Sequence, residues 1–461
     1  MDYLSRSLTK LKEDRGFKFH PKCKKLQISH LIFADDLLLF AKGETYSVQK
    51  LYQCFKSFGE VSGLEANTDK CSIFYGGVED SVKREIANIL GFTEGSMQIK
   101  YLGVPLITKR LSYNDCLPLF NKITKQLQNW TKCRTLTYAG RLKIIKSVIS
   151  GVIIYWTSNC ILPVKVLRKI DELCRIFLWG KDEHSSKVPL VAWDKVCLGM
   201  KQGGMGVYSA QIWNSASALR SIWFIHSNKE SLWIKWIHEN YLKHEDIWQV
   251  EARSGDSWMW KQLLRIRNKV MAVLGGAENT KSLIMSSCKN SKPILSTLYK
   301  NLSAAVISVP WYKTVWGGLN VPKHSFISWL AIQNRLLTQD RLLKRGIISS
   351  NQCCLCTGQI TESRDHLFFE CTFSSYIWNS IMDWMNFKKK SCNWNQVWNW
   401  FSSMRGKTLQ VKLKRLVLTA SIYCIWRERN ARLFTQKISS ADHLIKVIKF
   451  EASTIIFNNP P

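Results

Sequence analysis

The sequence predicts an α+β chain that is mostly α. Three observations carry this. Residues 28–40, ISHLIFADDLLLF, form a β-prone run interrupted by two acids. From about residue 100 to 230, apolar residues recur every three or four positions, which is the helical period. Helical patterning resumes at His324 and runs to about Ile456, around the cysteine-rich string CCLCTGQITESRDHLFFEC.

The first run reads as a hairpin with Asp35 and Asp36 at its turn. Its halves are too apolar for an ordinary surface hairpin, so the acids are expected at one end of a buried sheet. Two carboxylates there are hard oxygen ligands suited to Mg²⁺. Downstream, residues 51–58 read as a helix, Ser62-Gly63-Leu64 as a turn and residues 72–75 as a short strand ended by Gly76-Gly77. Upstream, Asp2, Glu13 and Asp14 fall in a polar stretch without a strand pattern.

Three stripes define the helical middle: Leu119, Ile123, Leu127 and Trp130; Leu142, Ile145, Ile149, Val152 and Trp156; Val166, Ile170, Leu173 and Phe177. These are expected core faces. Arg141, Lys143 and Lys146 lie opposite the second stripe. Residues 101–150 hold nine Lys or Arg against one acid, Asp115, and one-sided charge of this kind suits a phosphate backbone. The glycines of residues 203–206 lack the Lys-Ser/Thr ending of a phosphate-binding loop and read as a flexible turn. Residues 309–322 read as a linker, and Leu416, Ala420, Tyr423 and Trp426 as the last clear stripe.

Cys353, Cys356, His366 and Cys371 are spaced C-x2-C-x9-H-x4-C. Three thiolates and one imidazole at this spacing suit a closed tetrahedral zinc site of structural type. Cys354 is a spare thiol that could stand in for Cys353.

Composition bounds the functional classes. The 461 residues allow roughly three domains at ~150 residues each, and 46% hydrophobic content is enough to bury a core. Net charge is +32, which favours a polyanionic partner, and the aromatic content supplies stacking surfaces. Fifteen cysteines without a regular framework, and no apolar leader in residues 1–16, place the chain in the nucleus or cytoplasm rather than among secreted proteins. Residues 148–162 are too short to span a bilayer, which takes ~20 apolar residues. No membrane partner is expected.

Taken in order, these motifs resemble the reverse transcriptases of non-LTR, LINE-type retroelements of plants. Phe33-Ala34-Asp35-Asp36 resembles their FADD motif. Residues 58–74, with Asn67 and Lys70, resemble the palm segment that follows it. Residues 100–106, KYLGVPL, resemble the primer-grip element, and residues 130–149 the start of the thumb. The cysteine cluster, with Glu362, Asp365 and Trp378, resembles the zinc-binding module downstream of these polymerases.

The resemblance implies a truncated palm at 1–107, a helical thumb-like region at 108–230, a connector at 231–304, a zinc-binding module at 305–395 and C-terminal helices at 396–461. It implies catalytic metal ligation by Asp35 and Asp36. Lys70 is either a proton donor to the leaving pyrophosphate or a solvent-facing lysine after a turn. Tyr101 and Gly103 would position a primer end, and Arg141, Lys143 and Lys146 would hold nucleic acid. RNA or an RNA/DNA hybrid is the expected partner, with structural Zn²⁺ and catalytic Mg²⁺ as cofactors. Family members carry a further catalytic Asp in an earlier palm strand, and no residue before Phe33 matches it. The chain is therefore expected to be a truncated RNA-directed DNA polymerase (a nucleotidyltransferase) inactive by itself. The alternative is a non-catalytic zinc protein that binds nucleic acid or another protein.

Overall fold

The FADD run folds as an antiparallel hairpin, His30–Phe33 against Asp36–Leu39, with Phe33 opposite Asp36. Ala34 and Asp35 make the two-residue turn. Ala34 takes a φ of 51°, the left-handed region that glycine enters more cheaply. His30, Ile32, Leu37 and Leu39 share one face, and Leu37 and Leu39 pack on a core of Leu4, Leu8, Leu11, Phe17, Leu51 and Phe58. The other face carries Leu31 and Phe33, 41% and 56% exposed, so the expectation of a buried sheet does not hold. The reason is topological: the hairpin pairs only with itself among the described residues.

The computed structural model describes residues 1–95, 99–101, 103–106, 110–131, 136–180, 189–227, 230–303, 307–387, 393–406 and 408–458, without the side chains of 99–101, 106 and 131. The chain forms two compact units. One comprises Met1–Pro118, Tyr155–Val166 and Ile212–Ser303; the other Leu119–Ile154, Leu167–Gln211 and Ala304–Pro461. The α+β, mostly α expectation holds, and the described strands make four two-stranded sheets.

In the first unit the acids at residues 2, 13 and 14 lie in helical rather than strand surroundings. Asp2–Lys10 is an α-helix whose Leu4 and Leu8 are fully buried, continued by a 3-10 turn holding Leu11. Ser5 and Ser29 hydroxyls each lie 2.9 Å from a ring nitrogen of His30, tying the hairpin root to this helix. The Thr45–Ser62 helix is longer than the stripe at 51–58 shows, and Gly63 ends it at φ 69°. The Trp- and Lys-rich stretch after residue 230 is helical as well, with Trp258–Leu274, Ala277–Met285 and Leu295–Leu302. Its core includes Tyr241 stacked on Trp260 at 4.7 Å.

In the second unit the Pro322–Ile332 helix is central. Phe326 stacks on Tyr138 at 5.3 Å, and the fully buried Trp329 donates from Nε1 to the Gly203 carbonyl at 2.8 Å. Gly203 sits at φ 86° with the Trp311 ring against it, so this turn is a packing element rather than a flexible one. Residues 309–322 are likewise packed: Val309 N–H bonds to the Lys201 carbonyl, and Thr314 and Val315 are buried in a short helix. The second stripe runs through a π turn at Ile145–Ile149. That turn's extra residue moves the buried position from Val152 to Ile153. Leu119, Ile123 and Leu127 of the Leu117–Thr131 helix are buried as expected, but Trp130 is 42% exposed. No described helix is long and apolar enough to cross a membrane.

His324, on the central helix, is fully buried with neither ring nitrogen hydrogen-bonded; Nε2 lies 3.4 Å from a Glu451 oxygen. Burial first, then Lys323 and Arg427, push its pKa down to about 3. A depressed histidine stays neutral in the fold and charges readily when unfolded. Its contribution is therefore present above the ordinary histidine value and lost as pH falls below it, costing roughly 2 kcal/mol by pH 5. Urea titrations of His324→Gln should show a shallower stability loss between pH 7 and 5 than the native chain; parallel curves would refute this role.

Candidate metal centre and basic surfaces

Cys353 and Cys356 lie on a tight knuckle, closed at its base by a bridge between Gln352 and Thr361 and by the Cys353 N–H to the Ile360 carbonyl at 2.8 Å. His366 opens a π turn, His366–Glu370, and the Cys371 N–H bonds back to its carbonyl at 2.7 Å. That wide turn brings two residues five apart to the same side. It is paved underneath by buried Leu367, Phe368 and Phe369, the last edge-on to Trp378 at 5.2 Å.

The four ligand atoms all lie within 4.8 Å of one another. Cys353 Sγ is 4.0 Å from Cys371 Sγ, and Cys356 Sγ is 3.4 Å from His366 Nε2. Zinc–sulfur bonds of about 2.3 Å in a tetrahedron require sulfurs about 3.8 Å apart, so the set fits a zinc ion. The local electrostatics agree. The bond from Cys353, and the N–H groups of Ser374 and Phe373 at the start of the Thr372–Trp384 helix, hold the Cys371 thiol below its ordinary value against burial. Cys353 is pushed up by that same bond and by burial, while the N–H groups of Leu355 and Cys356 act in the opposite sense. Burial lowers His366, which favours the neutral ring that ligates. Cys354 is outside the cluster: its sulfur lies 3.8 Å from the Arg429 carbonyl, and burial pushes its thiol up to about 11.

Sequence reasoning missed what holds the knuckle. Arg429 grips both oxygens of Glu362 at 2.6–3.1 Å, the pair being 1% and 0% exposed. Gln339 adds its backbone N–H at 2.9 Å and its side chain at 3.3 Å. Arg432 donates to the carbonyls of Cys354 and Leu355 and to Glu428. Both arginines come from the Leu409–Thr435 helix. Their polar sequence neighbours, Thr361 and Ser363 around Glu362 and Glu428 and Asn430 around Arg429, gave no sign that either charge is buried.

The other expected residues are not brought together in this way. Asp35 and Asp36 are exposed at the hairpin turn, and the Cys/His cluster is the sole close group of three or more Cys, His or acidic ligands among the described residues. Lys70 is exposed in a 3-10 turn, Thr68–Lys70. Gly103 is the φ 77° residue of a tight turn joining Ile99–Tyr101 to Val104–Leu106; the Tyr101 side chain lies outside the described residues.

The basic trio of helix 138–149 divides. Lys143 is exposed. Arg141 is spent on the carbonyls of Phe177 and Gly180, capping the Val164–Trp179 helix, so the reading of it as a free phosphate contact is corrected. Lys146 is half-buried and pulled down to about 8, by burial first and then by Lys143. Lys122 and Lys125, on a helix without acids, are exposed instead, near the exposed Trp130.

Two segments match known families. Residues 1–106 match reverse transcriptase (RNA-dependent DNA polymerase), and residues 294–378, which include all four clustered ligands, match the zinc-binding domain in reverse transcriptase. The chain is 33% identical over 138 residues to a putative ribonuclease H protein of Arabidopsis thaliana, a stretch covering 30% of this chain and 22% of that relative. It therefore spans about a fifth of the curated relative it matches. By these likenesses the chain is reverse-transcriptase-like at its start and carries a zinc-binding segment of the same kind downstream.

Proposed function

We propose that the chain is part of the RNA-directed DNA polymerase of a non-LTR retroelement, that it holds RNA or an RNA/DNA hybrid, and that it does not polymerise by itself. One observation carries the reading: a palm-like segment is followed, in that order, by a zinc-binding segment whose Cys353, Cys356, His366 and Cys371 converge. In this reading the zinc ion fixes the fold of its module and performs no reaction, because four protein ligands leave no open position. The hybrid lies against exposed cations such as Lys122, Lys125 and Lys143, with Trp130 available for stacking. Asp35 and Asp36 are the Mg²⁺ ligands of the palm. Two-metal transfer needs the ions bridged between attacking and leaving oxygens, and two exposed acids with no close third ligand among the described residues do not supply that clamp.

Salt titration of hybrid binding tests the first half. Each neutralised phosphate contributes about −0.7 to −0.9 to the log–log slope, so a slope steeper than about −3 is expected, flattened in a Lys122→Glu/Lys125→Glu variant. A slope near zero would favour a protein-docking role. Primer extension with Mg²⁺ tests the second half: templated synthesis by the isolated chain would overturn the proposed inactivity.

A further inference from the structure

Lys146 carries an amine that neither the metal centre nor the proposed hybrid-binding surface uses. It lies in the π turn Ile145–Ile149, a helical irregularity that recurs at functional sites. Its side chain is half-buried and makes no hydrogen bond or ion pair among the described residues. The turn at 199–206 packs against it. A Cβ at Gly206 would stand 3.8 Å from Lys146 Nζ and 3.7 Å from Met200 Cγ. The nitrogen is therefore set against bare backbone and a thioether side chain instead of a carboxylate. Lys143, three residues earlier, adds a second positive charge beside it.

Both conditions favour the neutral amine. Burial penalises the ammonium form, and a neighbouring cation repels it. Desolvation and a second cation are also the two surroundings that turn a lysine into a nucleophile. The titration agrees with the geometry: burial first, then Lys143, bring Lys146 down to about 8. Half-burial still leaves the side chain open to a small reagent.

We propose that Lys146 is a site of acylation by acyl thioesters. The amine lone pair attacks the thioester carbonyl carbon; an N–C bond forms and the C–S bond breaks. The sulfur leaves with the electron pair of that bond and takes the proton that the nitrogen sheds. Amide and thiol are the products, and no oxidant or further reactant is required. An aldehyde would give an imine that water reverses, whereas the amide persists and removes one cation of the Lys143–Lys146 pair.

The size of the effect follows from the free amine. Near pH 7.5 about a quarter of Lys146 is neutral, against about a thousandth of an ordinary lysine, an advantage of about 200-fold. A less basic amine is also a weaker nucleophile. With the Brønsted slope of about 0.4–0.5 that thiols show, this returns about tenfold, leaving Lys146 about 15-fold faster. Near pH 10 an ordinary lysine is about a quarter neutral, and the order reverses, with Lys146 about threefold slower.

The test is site-by-site peptide mass spectrometry of the full chain after brief exposure to the acetyl thioester of N-acetylcysteamine, a small uncharged reagent. The exposed Lys122 and Lys125 are the internal comparison. Lys146 is expected to acetylate at least tenfold faster than either near pH 7.5 and to lose that lead near pH 10. Lys143→Glu replaces the repelling cation with an anion and should slow Lys146 about threefold for each unit its value rises. Labelling of Lys146 no faster than that of Lys122 and Lys125 near pH 7.5 overturns the proposal. So does a lead that survives near pH 10, which would show access alone, or one that survives in urea, which would trace to the local sequence. If Lys143→Glu fails to fold, the pH reversal on the native chain still decides. The inference stands apart from hybrid binding, which is read by a different measurement.

Discussion

Cys371→Ser is expected to abolish stoichiometric zinc and to unfold the region from the knuckle through the Thr372–Trp384 helix. Structural zinc sites carry apparent binding free energies of ~10–16 kcal/mol in small zinc domains, and that energy is folding energy where the ligands are held by little else. Here they are held by more: Phe368, Phe369, Trp378 and Trp394 form an aromatic bed beneath the site. The unfolding should therefore be local, read as lost near-ultraviolet dichroism from these rings and new proteolytic cuts near the cluster, with the remaining helices intact. Metal analysis supplies the second readout. Cys354→Ser is the control, since its sulfur faces the Arg429 carbonyl, and zinc content should stay at one per chain. Full zinc in Cys371→Ser, or indifference of the native chain to chelator, would show that the cluster is not a metal centre.

Breaking the Glu362–Arg429 pair is expected to cost about 3–5 kcal/mol from either side, because the surviving charge stays buried without its partner. Glu362→Gln keeps the shape and two possible hydrogen bonds, so its loss isolates the charge. Glu362→Leu combined with Arg429→Met should recover most of the loss, since replacing both charges removes two desolvation penalties together. Urea unfolding followed by tryptophan fluorescence measures the cycle. A single substitution costing under about 1 kcal/mol would mean that water or another cation already reaches Glu362. The surface pairs Arg6–Asp2 and Lys281–Glu278 provide the contrast: each is screened, and either is worth at most about 1 kcal/mol.

What the sequence revealed was local. The Cys353-x2-Cys356 knuckle is set by spacing, the hairpin by apolar runs on either side of Asp35 and Asp36, and the buried faces of Leu119, Ile123 and Leu127 by helical period. What escaped depends on partners distant in the chain or on small changes of helical geometry. Trp130 follows the stripe yet sits at the end of its helix, where the described residues leave it 42% exposed. The π turn at 145–149 shifts the register by one residue, which period-counting at 3.6 does not detect. Arg141 was read from its charge, although its guanidinium ends on the carbonyls at the close of the Val164–Trp179 helix. The segment around Trp311 was read as a linker because its Pro and Gly punctuation hides a ring packed on Gly203. The helix at Asp2–Lys10 was legible after all: Leu4, Leu8 and Leu11 have the period, masked by the charges between them.

Arg429 follows Glu362 by 67 residues, and the order of synthesis gives that separation a meaning. All four zinc ligands have been made once Cys371 is added, whereas the cation that neutralises Glu362 arrives later. At about 5–20 residues per second, Glu362 waits roughly 3–13 s beside its knuckle without a counter-charge. During that interval Glu362 has only the earlier-made Gln339, and the knuckle its own backbone bridge and four converging ligands. The four-ligand cluster is thus complete in the chain before the Leu409–Thr435 helix that clamps it has been made.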